Sequence, residues 1–160
     1  MNLICLDLEA SGLGPGSYPI EVAWKGMSEG CDNFLIDPGS VSEWTFWDDF
    51  AEEMHGLCRI ELSQKGITAV EACDRLNAAL QGQDVVSDAW EFDSFWLRRL
   101  FEATERTMQF RLIGLSEVLS PEELIQYRFV CKAQLRRHRA MADVDHILQA
   151  IRSVKYTAEP

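Results

Sequence analysis

Asp7 and Glu9 are the only charges in the apolar run ICLDLEASGL, residues 4–13. Side chains alternate along a strand, so the two carboxylates point to the same side, roughly 7 Å apart. Two acids held together repel, and burial raises their pKa values unless a cation neutralises them. Two downstream stretches carry further groups able to do chemistry. SDAWEFDSFW, residues 87–96, contains Asp93, and HRAMAD, residues 138–143, contains His138 and Asp143. Each has an ordinary alternative. A DxE is compatible with a solvated strand end, an acid in a first helical turn complements the helix dipole, and Asp143, Asp145 and His146 suit a solvated helix face.

The elements that must position these groups are legible from periodicity. Residues 2–8 are apolar on both faces, as in a central strand covered on both sides. The turn-rich GLGPGSYP follows, then strands at 20–24 and 31–36 joined by the KGMSEG turn. Thr68 and Glu71 form a capping box for a helix with Val70, Cys73, Leu76 and Leu80 on one stripe, and Gly82 suits its C-terminal cap. A short buried strand is expected at 84–87. Phe92, Phe95, Trp96 and Leu100 mark a helix, and 109–115 a fifth strand. Ser120 and Glu123, with Pro121 at the first helical position, cap another helix. The last helix carries Met141, Val144, Ile147, Leu148, Ile151 and Val154 on one stripe. The order βββ-α-β-α-β-α-α implies an α/β mixed sheet with helices on its faces.

Composition sets bounds. The 160 residues fit one domain spanning the whole chain, 1–160. No apolar run approaches the ~18 residues of a membrane span. No secretory signal is visible at the N-terminus. The five cysteines are odd in number and none sits at CxxC spacing, which reads as reduced, mostly buried thiols of a cytoplasmic protein. The net charge of −11 argues against a protein that coats nucleic acid nonspecifically through many Lys/Arg–phosphate contacts. It leaves an acidic metal site, or a substrate gripped at a few points.

The order DxE, then a strand followed by Phe92-Asp93, then His138 five positions before Asp143, resembles the DEDDh family of 3′–5′ exonucleases, which includes proofreading exonucleases and oligoribonucleases. DLEASGL is similar to the family's first motif, and Met54–Leu57 (MHGL) resembles its His-Gly element. The resemblance implies a ribonuclease H-like fold: a mixed five-stranded sheet, first three strands antiparallel and the rest parallel, with helices on both faces. It implies two Mg²⁺ or Mn²⁺ ions on Asp7, Glu9, Asp93 and Asp143, hard oxygen ligands that suit such ions, and His138 as the general base. It implies that Ala10, Ser11, Gly12 and Leu13 meet the terminal nucleotide, with Leu13 as a wedge and His55 near the 3′ end.

The segment before Asp93 departs from the family pattern, so Asp88 and Glu91 are rivals of Asp93, as Asp145 is of Asp143. Residues 128–139 carry Arg128, Lys132, Arg136, Arg137 and Arg139 with no acid, a run suited to phosphates or to a helix C-terminus. Trp44, Trp47 and Trp96 fall at helix-like apolar spacing and read first as core. The expected partner is a nucleic acid 3′ end, DNA or RNA, or the mononucleotide product, with no membrane. The sequence leaves the oligomeric state open, a homodimer included. Two other readings stay open: a non-catalytic binding or adaptor module on this fold, and a metal phosphodiesterase acting on small substrates.

Overall fold

The computed structural model describes residues 2–28 and 30–156. A five-stranded sheet in the order β3-β2-β1-β4-β5 forms its centre. β1 (Ile4–Ala10) pairs antiparallel with β2 (Pro19–Gly26), and β2 pairs antiparallel with β3 (Cys31–Leu35). β4 (Asp84–Ser87) and β5 (Arg111–Gly114) extend the other side in parallel. The expected architecture is therefore present: antiparallel first, then parallel. Strand ends lie within two residues of the sequence expectation, and Glu29 of the KGMSEG turn lies outside the described residues.

The alternation of β1 divides its side chains between two cores. Ile4, Leu6 and Leu8 join the layer built with α3 (Ala69–Leu80) and α4 (Trp90–Thr104), where Leu76, Leu80, Leu97 and Leu100 are fully buried. Leu3 and Cys5 face the opposite layer of α5 (Pro121–Ala133) and α6 (Ala140–Tyr156), with Val144, Ile147, Leu148 and Ile151. Each fully buried aliphatic side chain stabilises the fold by about 1.5–3 kcal/mol. Both layers are needed, because β1 is apolar on both faces. Asp7 and Glu9 share the parity of Leu3 and Cys5, so they point toward the α6 side.

Two helices escaped the sequence reading, α1 (Asp49–His55) and α2 (Arg59–Lys65). Their boundary signals are present: the Asp48 side chain caps α1, and Gly56 follows it in a left-handed conformation at φ 72°. The apolar stripe is what they lack. Phe50 and Met54 point outward, at 68% and 44% exposure. Trp44 and Trp47 precede α1 in irregular chain instead of lying on a helix. Trp44 is still core, stacked on Tyr18 at 5.1 Å, and Trp96 is buried in α4. Val70, expected on the buried stripe of α3, is exposed. The capping box of Ser120 and Glu123 forms as expected, whereas Thr68 caps α3 by accepting the Glu71 amide without the reciprocal bond from Glu71, so the second expected box is only half made. Cys5 and Cys73 are buried, but Cys31 is exposed and Cys58 and Cys131 are half-buried, so burial covers fewer thiols than expected. No helix among the described residues is long and apolar enough to cross a membrane.

Candidate active site

Three carboxylates converge at one point. Asp7 and Glu9 on β1 and Asp143 in the first turn of α6 each offer an oxygen within 4.8 Å of the others. Asp7 and Asp143 are buried and Glu9 is half-buried. Asp93, in the first turn of α4, is 1% exposed and is the strongest of the charges acting on Asp7. The four expected acids thus come together from three distant stretches. The rivals do not join them in the same way. Glu91 is exposed, and Asp145 faces away to pair with Lys25 at 2.7 Å. Asp88 is half-buried on the rim.

Helix geometry explains why Asp93 is inside although a helix-start acid is usually solvated. Ser87, the last residue of β4, donates its hydroxyl to Asp93 Oδ2 at 2.5 Å and accepts the Ala89 amide at 3.1 Å. The serine thereby fixes both the turn and the acid. Asp143 is held by the Arg137 amide, 3.3 Å from its Oδ1. The start of α6 is itself clamped by Glu21, a buried acid of β2 directly opposite Glu9 in register. Glu21 accepts three contacts from Arg139, at 2.8, 3.1 and 3.2 Å, and the Ala140 amide at 2.8 Å. Arg139, expected at substrate, is engaged here instead. The signal for Glu21 was an acid inside the apolar strand IEVAW, which sequence reasoning passed over.

The site is strongly acidic and short of countercharge. Burial, then the charges of Asp93 and Glu9, holds Asp7 well above the usual carboxylate range. Glu9 is pushed up to about 8, chiefly by burial and next by Asp143 and Glu21. Burial raises Asp93 too, against the Ser87 hydrogen bond. Asp7 Oδ2 is buried with no hydrogen-bond partner among the described residues. One cation enters the cluster. Arg136 lies 3.4 Å from Asp88, 3.7 Å from Asp143 and 4.0 Å from Asp7. Burial opposes its charge, but Asp88, Asp7 and Asp143 outweigh burial and keep the guanidinium protonated. An orphaned buried carboxylate oxygen and an all-oxygen donor set fit a hard divalent cation.

The remaining expected residues divide. His138 is half-buried in the loop 134–139, in a left-handed conformation at φ 54°. It makes no hydrogen bond to the acids among the described residues; Arg136, two positions earlier, meets them. Arg137 is exposed. Ala10, Ser11 and Gly12 are buried, and Ser11 is engaged internally: its hydroxyl accepts the Tyr18 amide at 3.2 Å. Leu13 alone of that segment projects, 71% exposed. His55 is buried, and burial lowers its pKa. The Leu57 amide donates to His55 Nδ1 at 3.0 Å, so the neutral ring carries its proton on Nε2, which approaches the Ala10 backbone but makes no hydrogen bond of good geometry among the described residues. Phe46, which sequence reasoning missed, lies over Gly12. A Cβ there would stand 2.6 Å from the Phe46 ring and 2.9 Å from Asp48 Cβ, so only glycine fits.

No protein-family model and no curated protein matches the chain. Solved structures do. A complex of E. coli exonuclease I with a dT13 oligonucleotide superposes with a TM-score of 0.74 at 18% identity, over 97% of this chain and 41% of that one. The dA16 complex of the same enzyme gives 0.73 at 16%, over 98% and 41%. The zinc ion bound form of its ssDNA complex gives 0.72 at 16%, again over 98% and 41%. The chain therefore shares its fold with the matched part of exonuclease I. This chain spans about two fifths of exonuclease I.

Proposed function

We propose that the chain is a metal-dependent 3′–5′ exonuclease of the DEDDh type, acting on single-stranded or short nucleic acid. The observation that carries this reading is the convergence of Asp7, Glu9 and Asp143, with Asp93 buried beside them, in a site whose countercharge is deficient. The likeness of the fold to exonuclease I supports it. Asp7, Glu9, Asp93 and Asp143 would hold two Mg²⁺ or Mn²⁺ ions. When bound, such ions stabilise charge on the attacking and leaving oxygens of a phosphodiester and lower the pKa of a bound water. His138 is assigned to take the proton of the attacking water. That role requires the loop 134–139 to withdraw Arg136 from the acids and present the imidazole. Leu13 would meet the terminal base, and the orphaned Nε2–H of His55 would donate to an oxygen at the 3′ end. Arg137, exposed on the same loop, is free to meet phosphate. Arg139 is assigned to holding α6, and through it Asp143.

The test is release of mononucleotides from a 3′-labelled oligonucleotide with Mg²⁺ or Mn²⁺. The wild type should release them and Asp7→Ala should not. A wild type inactive with both ions sinks the reading.

One observation favours a second reading, a binding module without catalysis: Arg136 already provides a cation to the acids. Calorimetric titration with Mn²⁺ separates the two. A nuclease site takes up the ion, and Asp143→Asn weakens uptake. A module neutralised by Arg136 takes up none.

A further inference from the structure

A groove of about 1260 Å³ runs beside the acid centre, between the start of α4, the end of β5 and the outer face of α5. It exceeds the ~300–1,000 Å³ of an ordinary small-molecule cleft, which suits a chain segment. Asp88, Tyr127 and Cys131 line both this groove and a small cavity of about 70 Å³ that contains Arg136 and Asp143. The groove therefore adjoins the cavity that holds Arg136 and Asp143. We propose that it holds the single-stranded nucleotides lying 5′ of the one at the carboxylates, which deepens the exonuclease reading and rests on it.

Two independent features of the walls fit this occupant. The first is aromatic. Trp90 is 46% exposed, and its indole N–H is fixed to the Leu112 carbonyl at 3.1 Å. Its ring is an oriented platform that loses little freedom when a base stacks on it. Phe92 stands exposed on the same wall. Any base has a π-face, so such stacking tolerates sequence. The second is charge. Arg128 and Lys132 lie one helical turn apart on α5, on one face. Neither has an ion-pair partner among the described residues. Most acids of the groove are compensated: Asp88 by Arg136 and Glu117 by Arg111 at 3.2 Å. On a chain of net charge −11, two uncompensated cations facing an aromatic platform select an anionic, base-bearing polymer over an acidic protein surface.

The experiment measures fluorescence anisotropy of labelled dT2 and dT8 with the Asp7→Asn chain, which cannot turn over, in the presence of Ca²⁺. The dinucleotide reaches only the acid centre; the octamer also fills the groove. Trp90→Ala should weaken dT8 by about 5- to 150-fold and leave dT2 unchanged, while Trp90→Phe retains most of the affinity. Arg128→Ala with Lys132→Ala should reduce the slope of log K against log salt by about 1.4, two phosphates at about 0.7 each. Equal affinity of all variants for dT8, or no preference of the parent for dT8 over dT2, overturns the groove. So does displacement from the groove by polyglutamate but not by unlabelled dT8. The two readings fail separately. A wild type that digests dT8 with Mn²⁺ while groove variants are unaffected keeps the nuclease and loses the groove. A wild type that digests nothing, yet loses dT8 binding with Trp90→Ala, keeps the groove and loses the nuclease.

Discussion

Glu9→Gln tests the electrostatics of the acid centre without any assumption about activity. In the open chain this carboxyl titrates near 4.5, and in the fold at about 8, mainly through burial and then through Asp143 and Glu21. A carboxyl whose folded pKa is raised leaves stability intact below the unfolded value and removes it as pH rises, because the unfolded chain ionises first. At 1.36 kcal/mol per tenfold, the loss is under about 1 kcal/mol at pH 5, about 3 kcal/mol at pH 7 and just under about 5 kcal/mol well above pH 8. Glu9 is half-buried, and solvent at its open edge screens part of this, so we expect Glu9→Gln to stabilise the protein by about 1.5–3 kcal/mol at pH 7. The assay is urea unfolding in EDTA at pH 5, 7 and 8.5. The wild type should lose stability across this range, and the variant should lose less. Added Mn²⁺ should reverse the ranking, because the wild type retains the ligand. A variant no more stable than wild type at pH 7 in EDTA, with the same pH slope, refutes the argument.

Other perturbations follow from the same geometry. Arg136→Gln removes the cation lodged among Asp7, Asp88 and Asp143; the metal-free protein should lose roughly 1 kcal/mol, and calorimetry should show tighter Mn²⁺ binding. Gly12→Ala forces a Cβ against Phe46 and Asp48 and should cost about 1–3 kcal/mol in chemical denaturation. Glu21→Ala leaves Arg139 and the Ala140 amide without their acceptor; thermal unfolding should report a loss of about 2–4 kcal/mol, and nuclease activity should fall because α6 carries Asp143.

Local pattern was enough for much of this molecule. β1 announces itself as a central strand by being apolar on both faces, and its two acids stand out because a doubly covered strand has no routine use for them. Ser120-Pro121-Glu122-Glu123 begins a helix through hydrogen bonds within four residues, so no tertiary information is needed. It was the resemblance to the DEDDh exonucleases, carried by the order and spacing of the motifs, that paired DLEASGL with Asp93 and Asp143. α1 was not readable in the same way, since Phe50 and Met54 turn outward and the periodicity that reveals a packed helix is absent.

What the linear chain could not decide is which charges find each other across the sheet. Arg136, Arg137, His138 and Arg139 look alike as one basic run. In the fold they part: Arg139 reaches Glu21, Arg136 enters the carboxylates, Arg137 faces solvent and His138 takes a left-handed bend. Asp143 and Asp145 differ by two positions, yet about 200° of helix rotation sends one to the acid centre and the other to Lys25. Types and spacing along the chain determine which residues are able to do chemistry. The direction in which each points, and the countercharge it meets, depends on elements more than a hundred residues apart, such as β2 and the start of α6, and only their packing settles it.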